Sequence, residues 1–290
     1  MKKIYLSIVH FQNNDKHYLN EIISEYNKYP FTIDINIHTN KRKINDLDVS
    51  LFTNGEVNII KENLLSKFLL YRNKNYYLTW TPRKRIKKNI ENYDIFIYSE
   101  DDILIPLEAF NYWYKNKNTL FSKKYLPGFI LLEVDDSGNE IAVNFNKNKL
   151  TKIKKIDNSE FYVNDNVRYT ACWVYDKKMM VQWINSGLFD IRKISTKKAL
   201  RSNLLDNIKI QNINIRYWLY NLKNKKGYGI RENSAIGMNS ENNNLVRDIL
   251  FLKNNNGLDN AIKIYHLSNK YYKSNVKDIG KVLYKDLVDE

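Results

Sequence analysis

The first hundred residues alternate between two hydrophobic periods, and that alternation narrows the available folds more than any other feature. Apolar, β-branched runs at 4–9 and 31–38 read as strands, whereas Tyr18, Ile22, Ile23 and Tyr26 between them recur every three to four positions. This is a β-α-β opening. A third apolar segment, 57–60, precedes Leu64, Leu65, Phe68, Leu69 and Tyr71 at helical spacing. Thr79 is placed to cap a further helix over about 81–91, with Pro82 in its first turn. Residues 93–99 then read as a buried strand, followed at once by three carboxylates, Glu100, Asp101 and Asp102. Strands joined by such helices make right-handed crossovers and a mainly parallel sheet, with ligands beyond the carboxyl ends of the strands. The expected class is α/β, and the acidic triplet stands where a ligand would sit.

Beyond the triplet the pattern predicts a helix over 106–114. Antiparallel strands are expected over 129–134, 141–145 and 161–163, joined by polar turns such as 136–138. A strand over 169–175, a helix over about 176–184 and helical stretches within about 185–226 follow. The last apolar strand, 262–265, ends at His266. No repeat and no Pro/Gly/Ser-rich linker divides the chain, so one domain over 1–290 is expected.

Composition excludes several classes. With 22 Tyr, 12 Phe and 5 Trp, the chain has the apolar material that disordered chains lack. No run approaches the roughly 20 apolar residues of a membrane-spanning helix. The short apolar start lacks a small-residue cleavage site, and a single cysteine, Cys172, excludes an internal disulfide, so a cytoplasmic location is expected. Lys and Arg total 47 against 32 Asp and Glu, hence 47 − 32 = +15. With 42 Asn beside the lysines, part of that surplus reads as a solvated surface of biased composition. The rest favours polyanions: nucleotide phosphates, nucleic acid, or the inner face of a membrane touched peripherally.

Three adjacent carboxylates repel one another and call for compensation. In extended backbone Glu100 and Asp102 point the same way and Asp101 the other, so the outer two can share a hard-oxygen site for Mn²⁺ or Mg²⁺. The plainer reading is a helix start, because acids are favoured there. His266 at a strand end is either a ligand or a hydrogen-bonded structural residue. Glu232, beside Arg231, is a candidate general base if partly desolvated, or one half of a surface pair. The basic run 83–88 is either a solvated face or, through Arg83, a phosphate contact. Trp80 and Trp113 are either stacking partners for a base or sugar, or core. His10 and His38 each follow a predicted strand.

Taken together, these residues resemble a GT-A-fold glycosyltransferase. The resemblance rests on the β-α-β half, an ExD form of the DxD motif (Glu100, Asp102), a late acidic motif (Arg231-Glu232-Asn233) and a late His (His266), in that order. Leu78-Thr-Trp80, Tyr93-Asp-Ile-Phe-Ile-Tyr-Ser-Glu-Asp-Asp102, Leu126-Pro-Gly-Phe129 and His266-Leu-Ser-Asn269 are also similar to stretches of such enzymes. The resemblance implies a Rossmann-like, mixed but mainly parallel central sheet flanked by helices. A nucleotide-binding half would run to about residue 103, and an acceptor-binding half over about 104–290. It implies Asp102 and His266 as ligands of Mn²⁺ or Mg²⁺, and Glu100 near the ribose. Asp101, Arg83, Trp80 and His10 would stand on the nucleotide side. The donor would be a nucleoside diphosphate sugar, UDP-sugar favoured, and the acceptor a glycan or lipid-linked molecule. Glu232 would be the base of an inverting reaction, although Asn233 stands where the family motif has Asp, which leaves retention open. No nucleic-acid partner is then expected. The rival readings are a basic nucleic-acid-binding module, or a metal-dependent phosphodiesterase or nuclease.

Overall fold

The computed structural model describes residues 2–10, 18–40, 44, 46–62, 78–143, 145, 149–164, 170–187, 189, 245–273 and 280–288. Strand β1 (Lys3–His10) is buried along almost its whole length, as a sheet covered on both faces demands. Helix α1 (Leu19–Tyr26) buries Leu19, Ile22, Ile23 and Tyr26, the three-to-four spacing read from the sequence. It leads to β2 (Thr32–Thr39) and then to β3 (Gly55–Lys61), which pairs in parallel with β2. Helix α2 (Thr81–Lys88) carries Pro82 in its first turn. Its cap is Trp80, which makes no side-chain capping bond, and not Thr79; the Thr81 hydroxyl donates to the Leu78 carbonyl at 2.8 Å. The helix stops at Lys88, three residues short of expectation, where Asn89 takes the C-cap.

Strand β4 (Ile95–Glu100) is fully buried and lies parallel to β1. After a two-residue turn, β5 (Ile103–Leu104) leads into α3 (Leu107–Ser122), which extends eight residues beyond the predicted end. Then come β6 (Tyr125–Pro127), β7 (Ile130–Val134), β8 (Glu140–Val143), β9 (Ile153–Ile156), β10 (Ser159–Asn164) and β11 (Cys172–Asp176). Asp176 caps α4 (Lys177–Asn185), accepting from the Met179 N–H at 2.9 Å. The last strands are β12 (Asp248–Asn254), β13 (Gly257–Leu258), β14 (Lys263–His266) and β15 (Lys281–Leu283).

The described strands form three sheets. The first, β11-β4-β1-β2-β3, is parallel except for the antiparallel β11. Trp183 of α4 stands edge-on to Trp173 and Tyr175 of β11, and Trp113 of α3 lines a cavity with β11 residues 172–175. The second, β15-β8-β7-β14-β5, inserts the late strand β14 between β7 and β5. The third, β13-β12-β10-β9 with β6 beside β12, takes β10. The run 161–163 is an antiparallel strand, as the pattern suggested, and its partners are β9 and β12. No described helix is long and apolar enough to cross a membrane.

Gly55 opens β3 at φ +151°, where an added Cβ would stand 2.1 Å from the Ile33 carbonyl oxygen. That contact is backbone and cannot swing away. Gly55→Ala is expected to cost about 1–3 kcal/mol, seen as a lower urea midpoint with the m-value unchanged.

Candidate active site

The site is built where β4 of the parallel sheet runs out. The strand ends at Glu100, and Asp101 and Asp102 form the turn into β5. Ser99 pins that turn by directing its hydroxyl to the carbonyls of Glu100 (3.0 Å) and Ile103 (3.3 Å). The turn sends the two aspartates to different partners. Asp101 meets His10, at the carboxyl end of β1, with Oδ2 2.6 Å from Nδ1. Asp102 meets His266, at the end of β14, with Oδ2 3.0 Å from Nε2. Pairing of β14 with β5, His266 against Ile103, creates this second contact, and the Leu267 N–H donates to the Asp102 carbonyl at 2.8 Å to lock it.

Two further residues complete the arrangement. Lys270 donates from Nζ to Asp102 Oδ2 at 2.9 Å, with its side chain 45% exposed. Glu133, at the end of β7, is buried and takes the other face of the imidazole, its Oε1 against Nδ1. It also accepts from the N–H groups of Tyr271 (3.0 Å) and Tyr272 (2.6 Å). The Tyr271 ring stacks on His266, with centroids 4.7 Å apart and planes 17° from parallel. The Ser268 hydroxyl lies 2.9 Å from Nε2.

The electrostatics follow from this wiring. Burial on its own would raise Asp102, but the hydrogen bond and charge of His266, with the Lys270 ammonium, outweigh it and hold the carboxyl well below the usual range. Burial pulls His266 down, yet Asp102 and Glu133 together raise it above an ordinary histidine. Lys270 is raised too, the Asp102 charge overcoming its desolvation, with Glu100 adding to it. Asp101 is raised by burial, against the hydrogen bond from His10, and the Asp102 and Glu100 charges push it further. The result is a buried carboxylate faced by the solvent-reaching Lys270 ammonium and by an imidazole whose protonated form it favours.

The remaining sequence candidates have surroundings of their own. Arg83 is buried, its guanidinium carbon 4.0 Å from the Trp80 ring centroid, 4.5 Å from that of Trp183 and 4.8 Å from that of Phe189. It donates to the Phe189 carbonyl at 3.0 Å. Trp80 is the floor of that cage. Trp113 is core on α3. Glu100 is buried at the strand end. Glu232, with Arg231 and Asn233, lies outside the described residues, as do 64–71 and 190–226. Sequence reasoning missed Glu133 and Lys270. Glu133 carried a signal, a lone carboxylate inside the apolar run Ile130-Leu-Leu-Glu-Val134; Lys270 is one lysine among many.

His38, at the carboxyl end of β2, faces Glu62 (Nδ1 to Oε1, 2.9 Å) and Thr81 (3.4 Å). Burial lowers its pKa; Glu62 opposes this and Arg85 adds to it. Between about pH 6.5 and its lower folded value the unfolded chain binds a proton that the native state does not, so this group's contribution is full above about pH 6.5 and is lost on acidification. His266, raised, acts with the opposite sign. Urea unfolding at about pH 7.5 and about pH 5.5 is therefore expected to show a smaller acid-side loss of stability in His38→Gln than in the wild type.

No protein-family model matches the chain, and no curated protein does. Among solved structures, a similar one is the crystal structure of S. aureus TarS 1-349, at 12% identity and a TM-score of 0.34, over 63% of this chain and 49% of that one. The chain thus spans about half the length of that structure. At such a score the likeness assigns neither fold family nor activity, and both must come from the side chains themselves.

Proposed function

We propose that the protein is a GT-A-type glycosyltransferase that moves a sugar from a nucleoside diphosphate sugar, UDP-linked in the favoured case, to a glycan or lipid-linked acceptor. One observation carries the reading: Asp102 and His266, 164 residues apart in sequence, meet at 3.0 Å beyond the carboxyl end of β4. Ligands of open, mainly parallel sheets bind at such ends.

As ligands of Mn²⁺ or Mg²⁺ the reading takes Asp102 and His266, whose Nε2 would give up its proton to bind the ion. A carboxylate oxygen and an imidazole nitrogen side by side, with Glu133 against the far ring nitrogen, is the way histidine ligands are commonly braced. Among the described residues no group of three or more His, Cys, Asp or Glu side chains is arranged to hold a metal. The chain would then supply two ligands, Asp102 and His266, and leave the remaining positions to diphosphate and water. When bound, the ion would supply Lewis-acid stabilisation to the departing diphosphate.

The chain's own groups do the rest. Lys270, the solvent-reaching cation, would meet negative charge as it builds on the leaving diphosphate. The buried Glu100 would stand near the ribose, and His10 would hold Asp101 in place from the end of β1. Glu232 is proposed as the base that takes the acceptor proton in an inverting reaction.

The test is a thermal-shift panel of UDP, GDP, CMP and their sugars with and without Mn²⁺, because a ligand of the native state raises the midpoint. A metal-dependent shift with one nucleotide, absent in Asp102→Ala, is expected. No shift with any nucleotide, together with a salt-sensitive shift on RNA or DNA, would transfer the reading to a nucleic-acid-binding module.

A further inference from the structure

Glu133 is placed by the sheet. β7 and β14 run parallel with Leu132 against Tyr265, so the next residue of each strand, Glu133 and His266, lie side by side at the strand ends. A carboxylate without exposed side-chain surface costs several kcal/mol to desolvate unless donors surround it. Three do: the His266 ring and the N–H groups of Tyr271 and Tyr272. An ionised carboxylate only accepts, so the proton at that contact belongs to His266 Nδ1. With Nδ1 committed, Nε2 is the nitrogen turned to Asp102. The two backbone bonds also hold the turn that carries Lys270 onto the same Asp102 oxygen. The Asn269 side chain, accepting from the Val134 N–H at 3.1 Å, ties that turn back to β7.

We propose that Glu133 is a positioning residue of this site, fixing the proton of His266 on Nδ1 and the 267–272 turn so that Nε2 and Lys270 converge on Asp102. What the converged groups then bind rests on the function proposed above; the positioning itself does not.

Glu133→Gln separates this role from packing, because it keeps the shape while removing an acceptor and adding an N–H₂ donor. Facing that donor, the imidazole is expected to give up its Nδ1 proton and keep the one on Nε2 that faces Asp102. NMR of isotope-labelled histidine, with His266→Gln assigning the signal, reads the change without metal or nucleotide. The wild type should show a protonated Nδ1, and Glu133→Gln a bare one. Binding of Mn²⁺ in the presence of UDP should weaken about 10–100-fold in the variant. A bare Nδ1 in the wild type overturns the proposal, and it does so even if the variant fails to fold. An unchanged tautomer and unchanged Mn²⁺ affinity in a folded Glu133→Gln overturn it as well. If the tautomer shifts as expected but the wild type binds neither Mn²⁺ nor any nucleotide, the positioning stands and the glycosyltransferase reading falls.

Discussion

Asp102→Asn is expected to slow sugar transfer at least about a thousand-fold, roughly 4 kcal/mol of transition-state stabilisation, while the protein stays folded. The substitution keeps the shape and one acceptor oxygen for the His266 and Lys270 contacts. What it removes is the negative charge. In the wild type that charge is present throughout the physiological range, because the hydrogen bond and charge of His266 and the Lys270 ammonium hold the carboxyl well below its ordinary value. An amide oxygen is a poor partner for a divalent cation, and without the carboxylate the positive groups lose the counter-charge that keeps them together. Initial rates with a radiolabelled donor, alongside circular dichroism and a melting curve, provide the check. Wild-type rates in Asp102→Asn, or in wild type stripped of divalent metal, would sink the metal-assisted reading.

Arg83→Ala should act on stability instead, lowering it by about 3 kcal/mol. The guanidinium lies against Trp80, Trp183 and Phe189 and bonds the Phe189 carbonyl. A desolvated cation–π contact is worth about 2 kcal/mol, and a carbonyl left without its donor costs about another 1 kcal/mol. The melting midpoint should fall by about 5 °C. Lys84→Ala, on the exposed face of the same helix, should stay within about 0.5 kcal/mol of wild type. If Arg83 instead contacts the donor phosphates, alanine would raise the donor KM and leave the midpoint in place. The two outcomes are read from the same preparation.

What the sequence made legible was local. β1, β2, β4, α1 and β14 lie within a residue or two of the positions their periodicity marks, since each presents an unbroken apolar face over several residues. Pairing across distance was not legible. Nothing in 161–163 names β9 and β12 as its partners, because the choice depends on where α3 and β6 direct the chain. β5 and β13 are two residues each, too short for any period, and β9 is half lysine. The same limit applied at the site. Asp102 and His266 were visible because one follows an apolar strand and the other ends one, whereas Glu133 became meaningful only once β14 lay beside β7.

The insertion of β14 between β7 and β5 also sets a clock on synthesis. At about 5–20 residues per second, the 164 residues separating Asp102 from His266 take roughly 8–33 s to translate. For the part of that interval after β7 is made, the nascent chain presents two strand edges, β5 and β7, awaiting the strand that joins them, and unpaired edges invite association with other chains. The ribosome therefore releases a protein whose acidic turn has waited, without its histidine or its lysine, for nearly the whole of the second half to be made.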